Sequence, residues 1–147
     1  MAGRQAEPFT LPVGTTPETS FCAFPVHVDI PVNNEYSKLL KTSADGSTIT
    51  LFTGSLTGSF TNLATGKTIT ENLSGPCKLA VFPDNSAMVA FRGLTLLVIT
   101  QAQARQFGVP PVSVIAGATA VSVDPGGTFT SVSPKGHVLV DICAALS

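Results

Sequence analysis

Two long β-like runs joined by a polar turn, at residues 47–82, constrain the fold of this chain more than any other stretch. The first run reads STITLFTGSLTGSFT, the turn is NLATGK and the second run is TITENLSGPCKLAVF. β-Branched and aromatic residues favour strands, and a short polar turn between two such runs is typical of a β-hairpin. Most of the remaining chain repeats this unit at shorter length, so the sequence predicts an all-β protein.

The first of these runs changes the face on which its large side chains lie. Ile49 and Leu51 lie on one parity of the strand, whereas Phe52 and Phe60 lie on the other. A half-buried strand cannot change faces without an irregularity, because successive side chains alternate across it. We therefore predict a bulge or a sharp bend between Leu51 and Gly54.

Further strands are predicted on both sides of this unit. Residues 24–32 alternate between apolar and other side chains, and the Asn-Asn pair that follows predicts a turn. The next strand is expected at residues 36–42, with Tyr36 and Leu40 as its core contacts. Near the C-terminus, the Pro-Lys-Gly sequence at residues 134–136 predicts a turn before a last strand at residues 137–143.

One segment, TQAQARQFG at residues 100–108, is a convincing helix candidate. Thr100 is a suitable N-cap, and Gly108 followed by two prolines would end the helix. Together these patterns predict an antiparallel up-and-down barrel of about eight strands with one short helix. The barrel would be a single domain at residues 21–147, preceded by a flexible arm at residues 1–20. A two-sheet β-sandwich is the alternative.

The composition excludes several classes of partner. The chain of 147 residues is 44% apolar and only 12% charged, with a net charge of −1 and no cluster of Lys or Arg. These properties argue against nucleic acid and against an anionic membrane surface. The longest apolar run, at residues 94–99, is far shorter than the roughly 18–20 residues of a membrane span.

Three cysteines bear on the architecture. Cys22, Cys77 and Cys143 lack the C-x-x-C spacing of a structural zinc site. Cys22 precedes the first long strand and Cys143 ends the last, so a fold in which these strands are neighbours could join them by a disulfide clasp. Cys77 would then be a buried free thiol.

Four sequence segments together resemble a known group of proteins. They are AEPFTLP near the N-terminus, CAFPVHVDIPVN, TNLATGKT and the terminal DICAAL. Over nearly the whole chain they resemble a family of small exported actinobacterial proteins of unassigned function. Cys22 and Cys143 match the two-cysteine pattern of that family, and Cys77 departs from it. The resemblance implies secretion and supports the clasp, but it implies no activity. No signal peptide is visible at the N-terminus, so either the chain is intracellular or its signal peptide was removed, and the expected disulfide favours removal.

Two sets of residues are candidates for a site. If the barrel is hollow, Tyr36, Phe52, Met88 and Arg92 would contact a small apolar ligand. Arg92 could then anchor an anion, but an exposed Arg92 with its aliphatic stem against the sheet is favoured. If the barrel closes, the seam would bring together His27, Asp29, His137 and Asp141 as a metal site or an acid–base pair. The alternative for this seam cluster is exposure to solvent, because its members lie opposite the valines. No motif indicates a bound metal or a cofactor.

The sequence leaves three functions open. The first is a secreted binding or structural module that holds a small apolar molecule. The second is a cofactor-free isomerase or cyclase of the dirigent-like or allene-oxide-cyclase-like barrel type, which needs little more than a shaped cavity. The third is a cell-surface protein that assembles into homo-oligomers.

Overall fold

The computed structural model of the protein describes residues 9–11 and 20–147, except for the side chains of residues 133–136. Apart from residues 9–11 and Ser20, the predicted arm therefore lies outside the described residues. The described chain forms nine strands and two short helices: β1 Phe9–Leu11, β2 Val26–Thr42, β3 Thr48–Asn62, β4 Thr68–Asn72, β5 Cys77–Val81, β6 Ala87–Phe91, β7 Leu94–Val98, α1 Gln101–Phe107, β8 Val112–Val123, β9 Phe129–Asp141 and α2 Ile142–Leu146.

The all-β class and the antiparallel pairing are confirmed. The strands form one sheet in the order β1-β2-β3-β5-β6-β8-β7, with β4 paired to β3 and β9 paired to β8. Among the described strands, no ladder joins β9 to β1 or β2. The sheet is therefore open, and the pairing of first and last strands that was expected to close a barrel is not found there.

The sheet divides into two layers where two bent segments cross. One is the link between β4 and β5, which contains Gly75, and the other is the link between β6 and β7, which contains Gly93. β3 pairs with β5 through Phe52 and then with β4 from Thr57 onward, and β8 similarly changes partner from β7 to β6. At the crossing, a Cβ on Gly75 would lie 2.8 Å from the Cα of Gly93, and the Leu94 amide donates to the Ser74 carbonyl at 3.3 Å. Beyond it, β1, β4 and the adjoining parts of β2 and β3 form the first layer. The second layer contains β7 and the adjoining parts of β8 and β9.

The main core lies between these two layers. Val28 and Phe60 from the first layer and Val112 from the second are fully buried in one cluster. Ile142 and Leu146 of α2 belong to the same cluster, and α2 contacts strands of both layers. A smaller cluster lies elsewhere, between α1 and strands β7 to β9. All the described strands nevertheless belong to one sheet, so the two layers are parts of a single open sheet rather than two separate sheets.

A bulge in β2 exchanges the two faces of that strand. Asp29 pairs with Ser59 and Val32 pairs with Thr57, so β2 carries one more residue than β3 between these pairs. The even-numbered side chains are buried before the bulge, whereas after it the odd-numbered Glu35 is buried. A one-residue insertion reverses which side chains face the core.

Two predictions for β2 are wrong, the first of them because of this reversal. Tyr36 and Leu40, expected to be core contacts, are 57% and 44% exposed. The turn expected at the Asn-Asn pair is also absent, because β2 continues through both residues as a single strand. The bulge changes the direction of the side chains without ending the strand.

The predicted irregularity in β3 is found at Gly54, which has a φ of +128°. Here β3 leaves β5, and its buried residues from Leu56 to Phe60 all lie on the even parity. The prediction of a bend was therefore correct. Its ladder with β2 nevertheless continues without a register shift at this point.

The predicted helix is confirmed as α1. Thr100 is its N-cap, and Gln103 completes a capping box with it. Gly108 ends the helix in the left-handed region, with a φ of +68°. The turn predicted at residues 134–136 is wrong, because β9 runs through them with register shifts in its ladder to β8. The predicted last strand also ends early, and the final residues form α2 instead.

The Cys22–Cys143 disulfide is confirmed, with a Cα–Cα distance of 5.4 Å. It ties the segment before β2 to α2, so it joins the ends of the two layers. Nearby, the buried Asn62 side-chain amide donates to the Leu146 carbonyl at 2.9 Å. Cys77 is buried and free, as expected. Neither helix in the described part of the chain is long and apolar enough to cross a membrane.

Candidate functional site

A cavity of about 440 Å³ lies between the two layers, next to the crossing of the bent segments. Leu56 and Leu73 line it from the first layer, and Leu94, Leu96 and Val98 line it from the second. Cys77, Val89 and Phe91 of β5 and β6 line the region of the crossing. The cavity exists because the layers begin to separate there, before the side chains of the main core fill the space between them.

Glu35 of β2 is the acidic residue among the side chains that line this cavity. The bulge after Asp29 turns Glu35 toward the interior, and Gly54 lies opposite it in the ladder with β3. A Cβ at position 54 would lie 2.9 Å from the Cα of Glu35, so the missing side chain lets the two strands approach closely. Two irregularities in neighbouring strands thus place one carboxyl group in the cleft.

The environment of Glu35 is unusual for an ionisable side chain. Glu35 is only 6% exposed, and its Oε1 atom has no hydrogen-bond partner among the described residues. Burial raises the pKa of this carboxyl above its ordinary value, because desolvation disfavours the charged form. Unpartnered buried polar atoms are rare in folded proteins, so each one requires an explanation.

The rest of the cavity wall offers little polarity. Apart from Glu35, the described lining consists of aliphatic and aromatic side chains together with Thr95, Gly75 and Cys77. None of these lining residues is basic, so the lining supplies no cation to Glu35. The cavity therefore presents one carboxyl group on a largely apolar surface.

The four residues predicted to contact a ligand do not line this cavity. Tyr36 is exposed because of the bulge in β2. Met88 is 44% exposed and Arg92 is exposed, because the other parity of β6, with Val89 and Phe91, faces the cavity. Phe52 is half-buried and precedes the bend at Gly54.

The predicted seam cluster is not assembled. His27 Nδ1 lies 3.0 Å from the Thr10 hydroxyl, and Asp29 accepts a hydrogen bond from the Ile30 amide. Asp141 caps α2 through the Ala144 amide at 3.2 Å, and His137 is exposed. The physical reason is that β2 and β9 are not paired. In the described part of the chain, no group of three or more His, Cys, Asp or Glu side chains could hold a metal ion.

Glu35 was not among the residues predicted from the sequence to form a site. The regular alternation from Phe24 to Val32, extended by two, predicts Tyr36 as the buried residue and Glu35 as an exposed one. Pro31 was the available signal, because proline within a strand is found mainly at edges and bulges. A bulge placed at Pro31 would have put Glu35 on the buried face.

The comparisons with known proteins supply no relative for this chain. No family model, no curated protein and no solved structure matches it. The cavity and its carboxyl group are therefore the features of this chain that bear on its function.

Proposed function

We propose that this protein binds a small, largely apolar molecule in the cavity between its two layers. The observation that carries the proposal is the cavity itself, which remains open beside a well-packed core and has a mostly apolar wall. Ligand pockets typically have volumes of about 300–1,000 Å³ and apolar walls with a few polar groups. Both properties apply to this cavity.

The driving force for binding would be the removal of apolar surface from water. Each Å² of apolar surface buried contributes about 25 cal/mol, before the entropic costs of association are subtracted. The lining side chains come from β strands of both layers, and the Cys22–Cys143 disulfide joins those layers at their far end. A site framed in this way is largely preformed, which reduces the cost of ordering it on binding.

The proposal is tested with 2-methylnaphthalene, a fluorescent apolar probe, titrated into the purified protein. We expect saturable binding with one molecule per chain. Val89→Phe places a larger side chain in the cavity wall and should weaken binding at least tenfold. Val32→Phe is the matched control, because Val32 is 38% exposed and does not line the cavity.

Thermal unfolding of both variants establishes that each remains folded at the temperature of the titration. The proposal is contradicted if the wild-type protein shows no saturable binding. It is also contradicted if the folded Val89→Phe variant binds the probe as tightly as the Val32→Phe variant does.

We further propose that the protein acts outside the cytoplasm. The Cys22–Cys143 disulfide supports this, because disulfides persist mainly in oxidising compartments. The resemblance to exported proteins points the same way. The test is fractionation of the source cells with antibody detection, in which the protein should be recovered outside the cytoplasm with one reactive thiol after unfolding without reductant. Recovery in the cytoplasm with three reactive thiols would contradict the proposal.

Glu35 favours a second candidate, a cofactor-free isomerase. A carboxyl group in an apolar cavity can remove a proton from carbon, because its carboxylate is poorly solvated there. The test uses 5-nitrobenzisoxazole. Glu35 would take the proton from ring carbon 3 while the N–O bond breaks, and a cyanonitrophenolate is released. The rate of this reaction should rise with pH as Glu35 ionises. Glu35→Gln should reduce the rate to that of buffer alone. Equal rates for the wild-type and Glu35→Gln proteins would rule this candidate out.

A further inference from the structure

We infer that the cavity selects molecules that carry a hydrogen-bond donor, a hydroxyl or an ammonium group, on an apolar body, and that Glu35 accepts this hydrogen bond. The inference rests on the proposed binding function and adds the chemical class of the ligand. It assigns to Glu35 a role in specificity rather than in the strength of apolar packing.

The first support is the state of the Glu35 side chain. It is more than nine-tenths buried, it lines the cavity, and its Oε1 atom is unpartnered among the described residues. An unpaired buried acceptor destabilises the folded protein, and a ligand that donates a hydrogen bond to it removes that penalty. The same oxygen would disfavour an apolar group placed against it.

The second support is how the backbone holds Glu35. The bulge after Asp29 and the close approach at Gly54 fix the strand on which the carboxyl lies. Two departures from regular β-structure thus fix the position of the backbone that carries this side chain. An anchoring group needs this property, since it must be in position before the ligand arrives.

The third support is that a donor suits Glu35 in either protonation state. A carboxylate accepts hydrogen bonds at both oxygens, and a neutral carboxyl group still accepts at its carbonyl oxygen. No other described lining residue is charged, so Glu35 is the one group in that lining that can pair with an ammonium ion. A site that must reject the analogue lacking the donor does so by leaving its buried polar atom unpaired.

The test compares three probes that share one apolar body: 2-naphthol, 2-(aminomethyl)naphthalene and 2-methylnaphthalene. Their dissociation constants are measured by calorimetry with the wild-type chain, Glu35→Leu and Glu35→Gln. We expect at least one donor probe to bind the wild-type protein about tenfold more tightly than 2-methylnaphthalene. The naphthol and the amine distinguish a hydroxyl ligand from an ammonium ligand.

The variants assign the preference to Glu35. In Glu35→Leu the preference for a donor should fall to about onefold, with the affinity for 2-methylnaphthalene retained or increased. In Glu35→Gln, whose amide oxygen still accepts, part of the preference for the hydroxyl probe should remain. Glu71→Leu is the matched control, because Glu71 of β4 does not line the cavity and its loss should leave the ratio unchanged.

Two kinds of result would overturn the inference, and only the second would also overturn the proposed binding function. If all three probes bind with equal affinity, or if Glu35→Leu keeps the wild-type ratio, the cavity binds apolar molecules but Glu35 does not select among them. If none of the probes binds the wild-type chain, the proposed binding function fails together with the inference.

Discussion

Gly54 and Glu35 lie opposite each other across the ladder between β2 and β3, and the two backbones are in contact at this point. A Cβ on Gly54 would lie only 2.2 Å from the carbonyl oxygen of Asn34, the residue before Glu35. Gly54 also has a φ of +128°, which side-chain-bearing residues rarely adopt. The position of the cavity carboxyl therefore depends on a glycine in the neighbouring strand.

Gly54→Ala should destabilise the protein by about 2–3 kcal/mol, because it adds a steric clash to an unfavourable φ. Gly46→Ala is the matched control: Gly46 also has a positive φ, +94°, but a Cβ there would meet nothing within 4 Å. The control should cost about 1 kcal/mol. Urea unfolding of both variants measures the difference, and equal losses of stability would show that the contact at Gly54 does not matter.

The two strands that position Glu35 also show how far the sequence could predict this structure. The bend in β3 was predictable, because the change of parity between Leu51 and Phe52 requires an irregularity and Gly54 can supply it. The bulge in β2 was indicated by Pro31 alone, because the alternation from Phe24 to Val32 itself gives no sign of a change of face. Val32 is 38% exposed, but the sequence pattern does not distinguish it from the buried valines that precede it.

The division of the sheet at Gly75 and Gly93 could not be predicted from the sequence, for a different reason. Local patterns identify the bend after β4 and the hairpins on either side. They do not show that the bends at Gly75 and Gly93 lie so close together that a Cβ on Gly75 would be 2.8 Å from the Cα of Gly93. The cavity depends on that long-range contact, so the residues that line it could not be predicted from the sequence. The helix cap at Thr100 and the Cys22–Cys143 pair were predictable, since they follow from local chemistry and from cysteine placement.

The stability of the wild-type chain relative to Glu35→Gln should depend on pH. The pKa of Glu35 is raised above 4.5 in the folded state because of burial. As pH rises from 4.5, the unfolded chain therefore ionises first, and the wild-type protein loses stability until the pH passes the folded-state pKa. Glu35→Gln has no such loss, so its advantage should grow with pH and then level off.

Urea unfolding at half-unit intervals from pH 4 to pH 8 measures this difference between the two proteins. The other carboxyl groups are common to both proteins, so their titration largely cancels. A difference in unfolding free energy that is constant across the whole range would show that Glu35 is not desolvated in the folded protein.

Asn62→Ala should cost about 1–3 kcal/mol of stability. The Asn62 side chain is 2% exposed, donates to the Leu146 carbonyl of α2 and accepts from the Ala64 amide, both at 2.9 Å. Its removal leaves the buried Leu146 carbonyl unpaired and frees the amide of the exposed Ala64. Asn72→Ala is the control, because Asn72 is exposed and its side chain accepts from the amide of Ser74, two residues further along the chain. Comparable losses in the two variants would show that the contact with α2 adds nothing.

Removal of the clasp should have the largest effect. The double variant Cys22→Ala, Cys143→Ala should lose about 4–5 kcal/mol, the chain-entropy value for so long a loop. Cys77→Ala, which leaves the disulfide intact, should lose much less. Guanidinium unfolding under non-reducing conditions gives both values. A double variant that unfolds at the same denaturant concentration as Cys77→Ala would mean that the clasp does not stabilise the fold.

The disulfide also makes the chain between Cys22 and Cys143 a covalent ring, closed across a separation of 121 residues. One protease cut in the exposed turn at Asn85 would open this ring without releasing a fragment. The first piece would carry β1 to β5 and the second would carry β6 to β9, so each layer would come from its own piece. The cavity is thus built between two contiguous halves of the polypeptide, which makes the protein suitable for splitting into two fragments that reassemble around a ligand.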